Sequence, residues 1–291
     1  MFATSEESAM GTLYIVATPI GNLGDMSPRA VEILRAVSLI AAEDTRHSGT
    51  LMREFDIHTK MLSYHHHNRA ARADRLLAEL QLGDVALISD AGTPAIADPG
   101  HEFVAAAAEA GHQIVPIPGP SSVIAAVSAS GLVPGPFLFV GFLPRAGEDR
   151  RVMLGKTVST GFPFVLFESP LRAATTLRDV ELAAPDRVGL VARELTKVHE
   201  EFRRGSVVDL AIALEDRPPR GEVVLIIGAS PADNGAGRSG DAEDIARSIL
   251  AQGVKPSRAA RELGSITGMN AADAYALIQR LSTESGPAKA S

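Results

Sequence analysis

The stretch Val85-Ala86-Leu87-Ile88-Ser89-Asp90-Ala91-Gly92-Thr93-Pro94-Ala95-Ile96-Ala97-Asp98-Pro99-Gly100 decides the fold. It begins as a short apolar run, the mark of a strand buried on both faces, and passes without a break into a loop crowded with Gly, Pro and Ala. Residues 102–110 then read as a helix stopped by Gly111. The same alternation extends to either side. Residues 13–17, 38–42, 60–64 and 113–118 read as buried strands, and 72–82 and 120–130 as helices. Ser27-Pro28 opens a further helix, with Ser as N-cap and Pro at the first helical position, and Val31, Ile33 and Leu34 give it an apolar side. Strands and helices alternating in this way imply a largely parallel sheet covered on both faces.

Pro134-Gly135-Pro136 interrupts the pattern, and residues 137–142 supply one more strand. The polar, turn-rich residues 143–150 read as an inter-domain linker. A second α/β segment follows over 164–167, 171–182, 188–192, 207–214 and 223–227. The domains expected are therefore α/β units over 11–135 and 136–229, a flexible Gly/Pro/Asn/Ser-rich tether over 230–240, and a small helical module over 241–283. A chain of 291 residues is long for one core, which agrees with two domains.

Composition narrows the class. Hydrophobic residues make up 45% with only 4% aromatic and no Trp, so the interior is aliphatic. The absence of Cys rules out disulfides, thiolate metal sites and a cysteine nucleophile, and suits a reducing cytoplasm. No apolar run reaches the roughly 18 to 20 residues of a spanning helix, so no membrane partner is expected. Residues 1–8 are polar and acidic, unlike the basic start of a signal peptide. A net charge of −7 argues against nonspecific coating of nucleic acid but leaves room for local basic patches.

Ligands in open α/β sheets bind outside the carboxyl ends of the strands. The loops at that edge over 18–25, 91–100 and 118–122 are all rich in Gly and Pro, which allow close backbone approach and limit the entropy lost on binding. Nucleotide motifs fail here. Thr18-Pro19-Ile20-Gly21-Asn22-Leu23-Gly24 lacks the spacing Gly-x-Gly-x-x-Gly, and Gly155-Lys156-Thr157 has Arg150 where a P-loop needs Gly. His65-His66-His67-Asn68 is poor ligand geometry, because consecutive residues of an extended segment point to alternate faces; no metal is expected.

Longer segments are more specific. Val16-Ala17-Thr18-Pro19-Ile20-Gly21-Asn22-Leu23, Ala42-Glu43-Asp44-Thr45-Arg46, the opening loop, Pro118-Gly119-Pro120-Ser121-Ser122, Gly141-Phe142-Leu143-Pro144 and Phe167-Glu168-Ser169-Pro170 occur in this order. Together they resemble the small-subunit ribosomal RNA ribose methyltransferase branch of the tetrapyrrole-methylase superfamily, from about residue 11 to 228 and more weakly through the C-terminal helices. The resemblance implies a two-domain class III methyltransferase fold, S-adenosylmethionine as methyl donor and a homodimer. The implied acceptor is the ribose 2′-hydroxyl of a decoding-centre cytidine in 16S ribosomal RNA of the small ribosomal subunit. Donor contacts carried over by the resemblance are Pro19, Asp90, Ala91, Gly92, Thr93, Pro94, Ala95, Ile96, Ser121, Ser122, Phe142, Leu143 and Pro144, with Ala192 and Arg193 added by fold position. Two other readings stand beside it. A tetrapyrrole C-methyltransferase acting on corrin or sirohaem precursors is disfavoured by Asn22-Leu23, by Glu43-Asp44-Thr45-Arg46 and by the extra helices. A non-catalytic ribosome-binding factor on the same fold is the second.

A hydroxyl nucleophile needs its proton removed. Glu43 and Asp44, at the end of the second strand, are the first candidates, and His67 is another acceptor. Alternatively, one of the two carboxylates opens a helix and pairs with Arg46. RNA-side candidates are Arg46, Asn68 (which with His67 matches a His-Asn pair of the family), Arg145 and Arg172. Ser169-Pro170 reads as a helix start and still allows Glu168 or Arg172 to face a cleft. Basic residues also group as Arg145, Arg150, Arg151 and Lys156, and as Lys197, His199, Arg203 and Arg204. Lys255, Arg258 and Arg261 recur every three residues along one helix face, ahead of a Gly-containing turn and another helix, which resembles a helix-turn-helix. A solvated basic face is the other explanation of that spacing.

Overall fold

Alternating side chains along short buried strands set the layers of the first unit. A computed structural model describes residues 10–65, 69–230, 239–251, 254–267 and 269–284 of the chain. The first unit contains β1 (Leu13–Val16), α1 (Pro28–Ala36), β2 (Leu39–Ala42), α2 (Thr45–Glu54), β3 (Met61–Ser63), α3 (Arg69–Leu80), β4 (Val85–Ile88), α4 (His101–Glu109), β5 (Ile114–Ile117) and α5 (Ser122–Ser130). The sheet order is β3-β2-β4-β1-β5, with every pair parallel. Ile40, Ala42, Ala86 and Ile88 pack on α1 and α2 through Ala30, Leu34 and Met52. Leu39, Ala41, Val85 and Leu87 face the other way, onto Leu76 and Leu80 of α3 and Phe103 and Ala107 of α4. Every residue of β2 and β4 is buried, as double coverage requires. Ser27 caps α1 as expected, its Oγ accepting from the Ala30 N–H at 3.1 Å ahead of Pro28.

The second unit contains β6 (Leu138–Phe142), α6 (Glu148–Ser159), β7 (Phe164–Glu168), α7 (Ala173–Ala183), β8 (Val188–Arg193), β9 (Glu201–Ser206), α8 (Val207–Asp216) and β10 (Val223–Ile227). Its sheet is mixed, in the order β6-β7-β10-β8-β9; β6 and β7 are parallel and the other pairs antiparallel. Phe164, Leu166, Val191, Leu225 and Ile227 face α6, α7 and α8. The opposite face, with Val165, Leu190, Ala192, Val224 and Ile226, is covered by Val123 and Ala126 of α5 and by Ile20, all from the first unit. The two units therefore share a core. A third core joins α9 (Ser239–Ala251), α10 (Pro256–Thr267) and α11 (Ala271–Glu284) through Ala246, Ile249, Leu263, Ile278 and Leu281.

Several elements differ from expectation. Residues 143–150 are not an inter-domain linker: they join β6 to α6 inside the second unit, and the chain changes sheets between α5 and β6. Helix α6 carried no apolar signal because its buried side is Arg150, Leu154 and Thr157, with Arg150 paired to Asp179 at 2.8 Å. Strand β9 is a charged edge strand, a form that protects sheets from pairing with other chains and hides from hydrophobic pattern reading. Helix α2 buries only Ser48 and Met52 and so shows no apolar stripe; it is the helix of the alternative reading in which Glu43 or Asp44 opens a helix, and Asp44 is the residue that does so. Helix α7 begins at Ala173, later than Ser169-Pro170 suggested, and α9 begins at Ser239, inside the expected tether; residues 231–238 lie outside the described residues.

Arg187 locks the far end of the second sheet. It is 2% exposed, and its guanidinium donates to the carbonyls of Phe162 (2.9 Å), Gly228 (3.2 Å) and Val158 (2.9 Å) while lying over the Phe164 ring. Arg187→Met leaves these carbonyls without that donor. The expected loss is about 2–4 kcal/mol, read as a lower urea midpoint at unchanged m; an unchanged midpoint would show that the carbonyls find other donors.

Candidate active site between the two sheets

The loops at the carboxyl edge of the first sheet are fastened to one another. Thr18 and Gly92 exchange backbone hydrogen bonds, N–H to O, at 2.9 and 3.0 Å, and the Thr18 hydroxyl donates to the Ser89 carbonyl. The Thr93 hydroxyl donates to the Pro120 carbonyl at 3.3 Å. The Asp44 N–H donates to Asp90 Oδ1 at 3.1 Å, and the Asp90 N–H reaches Glu43 Oε2 at 3.5 Å. Gly92 sits at φ +82°, where a Cβ would press on Ile20 Cγ2 at 3.3 Å. Ala95 holds φ +63° without being Gly, a strained turn kept by its surroundings.

Above this edge the second unit closes a cleft with two lobes. The apolar lobe, of about 220 Å³, lies between the loop around Gly92, the start of α5 and the rings of Phe142 and Phe167. A bulge in β6 aims Phe142 into it. The β6–β7 register slips between Phe139 and Gly141, and Gly141 takes φ +70° to make the slip. Phe139 and Phe142 thereby both reach Phe167, with ring centroids at 5.1 and 5.5 Å. The second lobe, of about 320 Å³, has apolar walls at Pro19, Ile20, Leu23 and Leu51 and is called the polar lobe for His47, Ser89, Asp90 and Lys197, which bound it beside them. Ile20, Ala91 and Glu222 line both lobes, so the cleft is continuous.

Most of the donor residues expected from sequence come together here. Ala91, Gly92, Thr93, Ile96, Ser121, Ser122 and Phe142 line the apolar lobe, and Pro19, Asp90 and Ala91 the polar one. Pro94 and Ala95 carry the loop between Thr93 and Ile96. Others lie elsewhere. Leu143 is buried in the core beneath the second sheet, and Ala192 in the core between the units. The Pro144 carbonyl accepts from Arg150. Arg193 pairs with Glu201 at 3.0 Å and lines a separate hollow with His199 and Glu200. Sequence reading missed Phe167, Leu195, Glu222, Lys197 and His47 as lining residues. Phe167 lies in a motif the sequence singles out and His47 on α2 of the first unit, whereas Leu195, Lys197 and Glu222 reach the cleft only through the meeting of the two units.

The acidic pair at the end of β2 splits into different environments. Asp44 is the N-cap of α2; its carboxylate accepts from the Arg46 N–H at 2.8 Å and from the Arg46 guanidinium at 2.9 Å. The Arg46 side chain holds the Asp44 carboxyl down at about 2. Glu43 is the opposite case: burial, then the neighbouring charges of Asp98 and Asp90, push its carboxyl above the ordinary range. His67 and Asn68 lie outside the described residues.

Many of the expected RNA-side cations are engaged internally. Arg150 is buried against Asp179 and Thr176. Arg172 reaches Glu168 at 2.6 Å, and Glu168 is itself buried. Arg203 pairs with Glu201, and Arg204 donates to the Ala129 and Ser130 carbonyls at the end of α5. Arg46 remains 90% exposed at its side chain, Arg145 is exposed, Lys255 is exposed just ahead of α10, and Arg258 and Arg261 are exposed on α10 opposite Ala259, Ala260 and Leu263.

Known proteins agree with this architecture. Residues 12–211 match the family model Tetrapyrrole (Corrin/Porphyrin) Methylases. The chain is 45% identical to Ribosomal RNA small subunit methyltransferase I of Synechocystis over 94% of this chain and 100% of that one. It is 42% identical to the protein of that name from Xylella fastidiosa, over 90% and 96% of the two chains. Among solved structures, a cobalt precorrin-4 methyltransferase superposes with a TM-score of 0.59 at 19% identity, covering 77% of this chain and 97% of that one. Uroporphyrin-III C-methyltransferase from Thermus thermophilus, complexed with S-adenyl homocysteine, superposes with 0.54 at 17%, covering 75% and 97%. The chain belongs to the tetrapyrrole methylase family, within its ribosomal RNA small subunit methyltransferase I branch.

Proposed function

We propose that this methyltransferase moves a methyl group from S-adenosylmethionine to the ribose 2′-hydroxyl of a decoding-centre cytidine in 16S ribosomal RNA of the small ribosomal subunit. The observation that carries the reading is the two-lobed cleft, one lobe suited to the donor and the other open to an acceptor. The residues of the apolar lobe fit the donor. Ile20, Phe142, Phe167 and Val224 suit a flat ring system, and the start of α5 at Ser121 and Ser122 suits a carboxylate at a helix N-terminus. Gly92 keeps the cradle open where a side chain would fill it.

Bound S-adenosylmethionine supplies an electrophilic methyl group on a sulfonium. The chain's own work is to fix donor and acceptor in line and to take the hydroxyl proton. Glu43 is the better acceptor of that proton. It does not itself line either lobe but sits behind Asp90, whose N–H reaches its Oε2 at 3.5 Å, and its raised carboxyl is a stronger base than an ordinary Glu. Asp44, held at about 2 by Arg46, is a weak base and serves α2 and Arg46 instead. A cytoplasmic homodimer, as expected from sequence, belongs to the same proposal.

Labelled S-adenosylmethionine incubated with small subunits, free ribosomal RNA and a tetrapyrrole precursor tests the reading; label in the precursor alone, or nowhere, overturns it. Glu43→Gln is expected to lower methyl transfer about 10²-fold or more, with S-adenosylhomocysteine affinity within about twofold of wild type. Because the folded carboxyl is raised, the folded state holds the proton longer than the unfolded one. Stability therefore falls as pH rises from the unfolded pKa through the folded pKa, and that deficit persists at neutral pH. The Gln variant should accordingly melt higher at neutral pH while losing activity; full turnover would remove Glu43 from the mechanism. Deleting residues 235–291, which carry the separately cored α9–α11 module, should weaken RNA binding and flatten its salt dependence but spare S-adenosylmethionine binding. Loss of donor binding on truncation would contradict this division, and isothermal titration reads both affinities.

A further inference from the structure

Lys197 and Glu222 stand where the lobes meet, and the reading above gives them no role. Among the described residues, Lys197 is the one Lys or Arg lining the polar lobe, and Glu222 lines both lobes. Lys197 Nζ donates to Glu194 Oε1 at 3.0 Å and to Glu222 Oε2 at 3.2 Å. The two partners are not equivalent. The Glu194 side chain is 19% exposed and also accepts from the Glu222 N–H at 2.9 Å, whereas the Glu222 side chain is 71% exposed. Glu194 is the fixed partner and Glu222 the exchangeable one.

The backbone that carries Lys197 is held in place at a cost. Glu194 and Thr196 take φ +51° and +65° on either side of Leu195, which is buried in the core between the units. Gly221 at φ +81° leaves space for the Glu194 carboxylate, which would lie 2.2 Å from a Cβ there. From the first unit, Gly21 approaches so closely that its Cβ would lie 2.4 Å from Lys197 Cγ. The stem of Lys197 is thus pinned between the units while its ammonium faces the polar lobe. Burial opposes that charge, but the hydrogen bonds to Glu194 and Glu222 outweigh it and hold the ammonium above its usual pKa.

An acceptor in the polar lobe meets acidic groups at Asp90, with Glu43 behind it, and Arg150, Arg172 and Arg203 of the second unit are spent on internal pairs. A polyanionic acceptor therefore needs a cation on the opposite wall. We propose that Lys197 receives a backbone phosphate of the RNA acceptor and that Glu222 is the counter-ion the phosphate displaces, a role that rests on the RNA-methyltransferase reading. Glu194 keeps the ammonium in position during the exchange, and a charge-assisted bond to phosphate replaces the exposed pair.

The test uses the full chain, unmethylated small ribosomal subunits and labelled S-adenosylmethionine, comparing wild type with Lys197→Ala, Lys197→Arg and Glu222→Gln. Lys197→Ala should raise KM for subunits about tenfold and reduce the salt slope of log(kcat/KM) by about one, as expected for one lost phosphate contact. Its S-adenosylhomocysteine Kd, measured by calorimetry, should stay within about twofold, and Lys197→Arg should recover most of the KM. Glu222→Gln should lower KM about two- to threefold, because it frees the ammonium. A merely structural pair predicts that Lys197→Ala and Glu222→Gln err in the same direction. Matching increases in KM, or an unchanged KM and salt slope in Lys197→Ala, overturn the proposal. A wild type that labels no RNA overturns the RNA reading and this role with it, a result distinct from active wild type with silent Lys197 variants.

Discussion

Helix α5 is the last helix of the first unit and the cover of the second sheet. Val123 and Ala126 meet Val165, Leu190, Ala192 and Ile226 in the core that the two units share. Fully burying an aliphatic side chain of Val, Leu or Ile size contributes about 1.5–3 kcal/mol, so this contact holds the two sheets far more firmly than a polar linker would. The same helix begins at Ser121 and Ser122 in the donor lobe and ends under the Arg204 guanidinium of β9. A cation at a helix C-terminus is favoured by the helix dipole. The width of the cleft is therefore set by a rod packed along its length and clasped at its far end.

Rigidity at the cleft comes from loops that hold each other. The loops after β1, β2, β4 and β5 are joined by the Thr18–Gly92 pair, by Asp44, Asp90 and Glu43, and by Thr93 with Pro120. Such bracing allows a conformation that isolated loops avoid, seen at Ala95. It also keeps Glu43 buried and near Asp98 and Asp90 in spite of their like charges; burial first, and those charges after it, raise its carboxyl. The arrangement loses stability at neutral pH and gains a stronger base.

Charge in this acidic chain is allocated mostly to architecture. Arg150, Arg172, Arg187, Arg203 and Arg204 fasten helices, strands and turns of the body. Among the described residues, the cations that face outward include Arg46 close to the polar lobe, Arg145 near the start of α6, Lys255 just ahead of α10, and Arg258 and Arg261 on that helix. Recognition of RNA by such a surface depends on where these residues sit rather than on net charge.

The sequence by itself determined the parallel first sheet, the second α/β segment and the C-terminal helices, the Gly- and Pro-rich loops at one edge and, through its motifs, the family. These follow from local signals: apolar runs of strand length, Ser-Pro at a helix start, Gly at helix ends and loop backbones. It also brought Glu43 and Asp44 forward, without separating them. Their roles divide only in three dimensions, where Asp44 meets Arg46 as a helix cap and Glu43 is enclosed beside Asp90 and Asp98. Helix α6 and strand β9 escaped because their polar side chains are satisfied by partners distant in the chain, Arg150 by Asp179 for one. Phe142 reaches the cleft through a bulge that no composition announces, and Lys197, Glu222 and Leu195 reach it only because α5 and Ile20 bring the two sheets together. Local periodicity reports what one element buries; a wall shared by two units depends on contacts that no stretch of either contains.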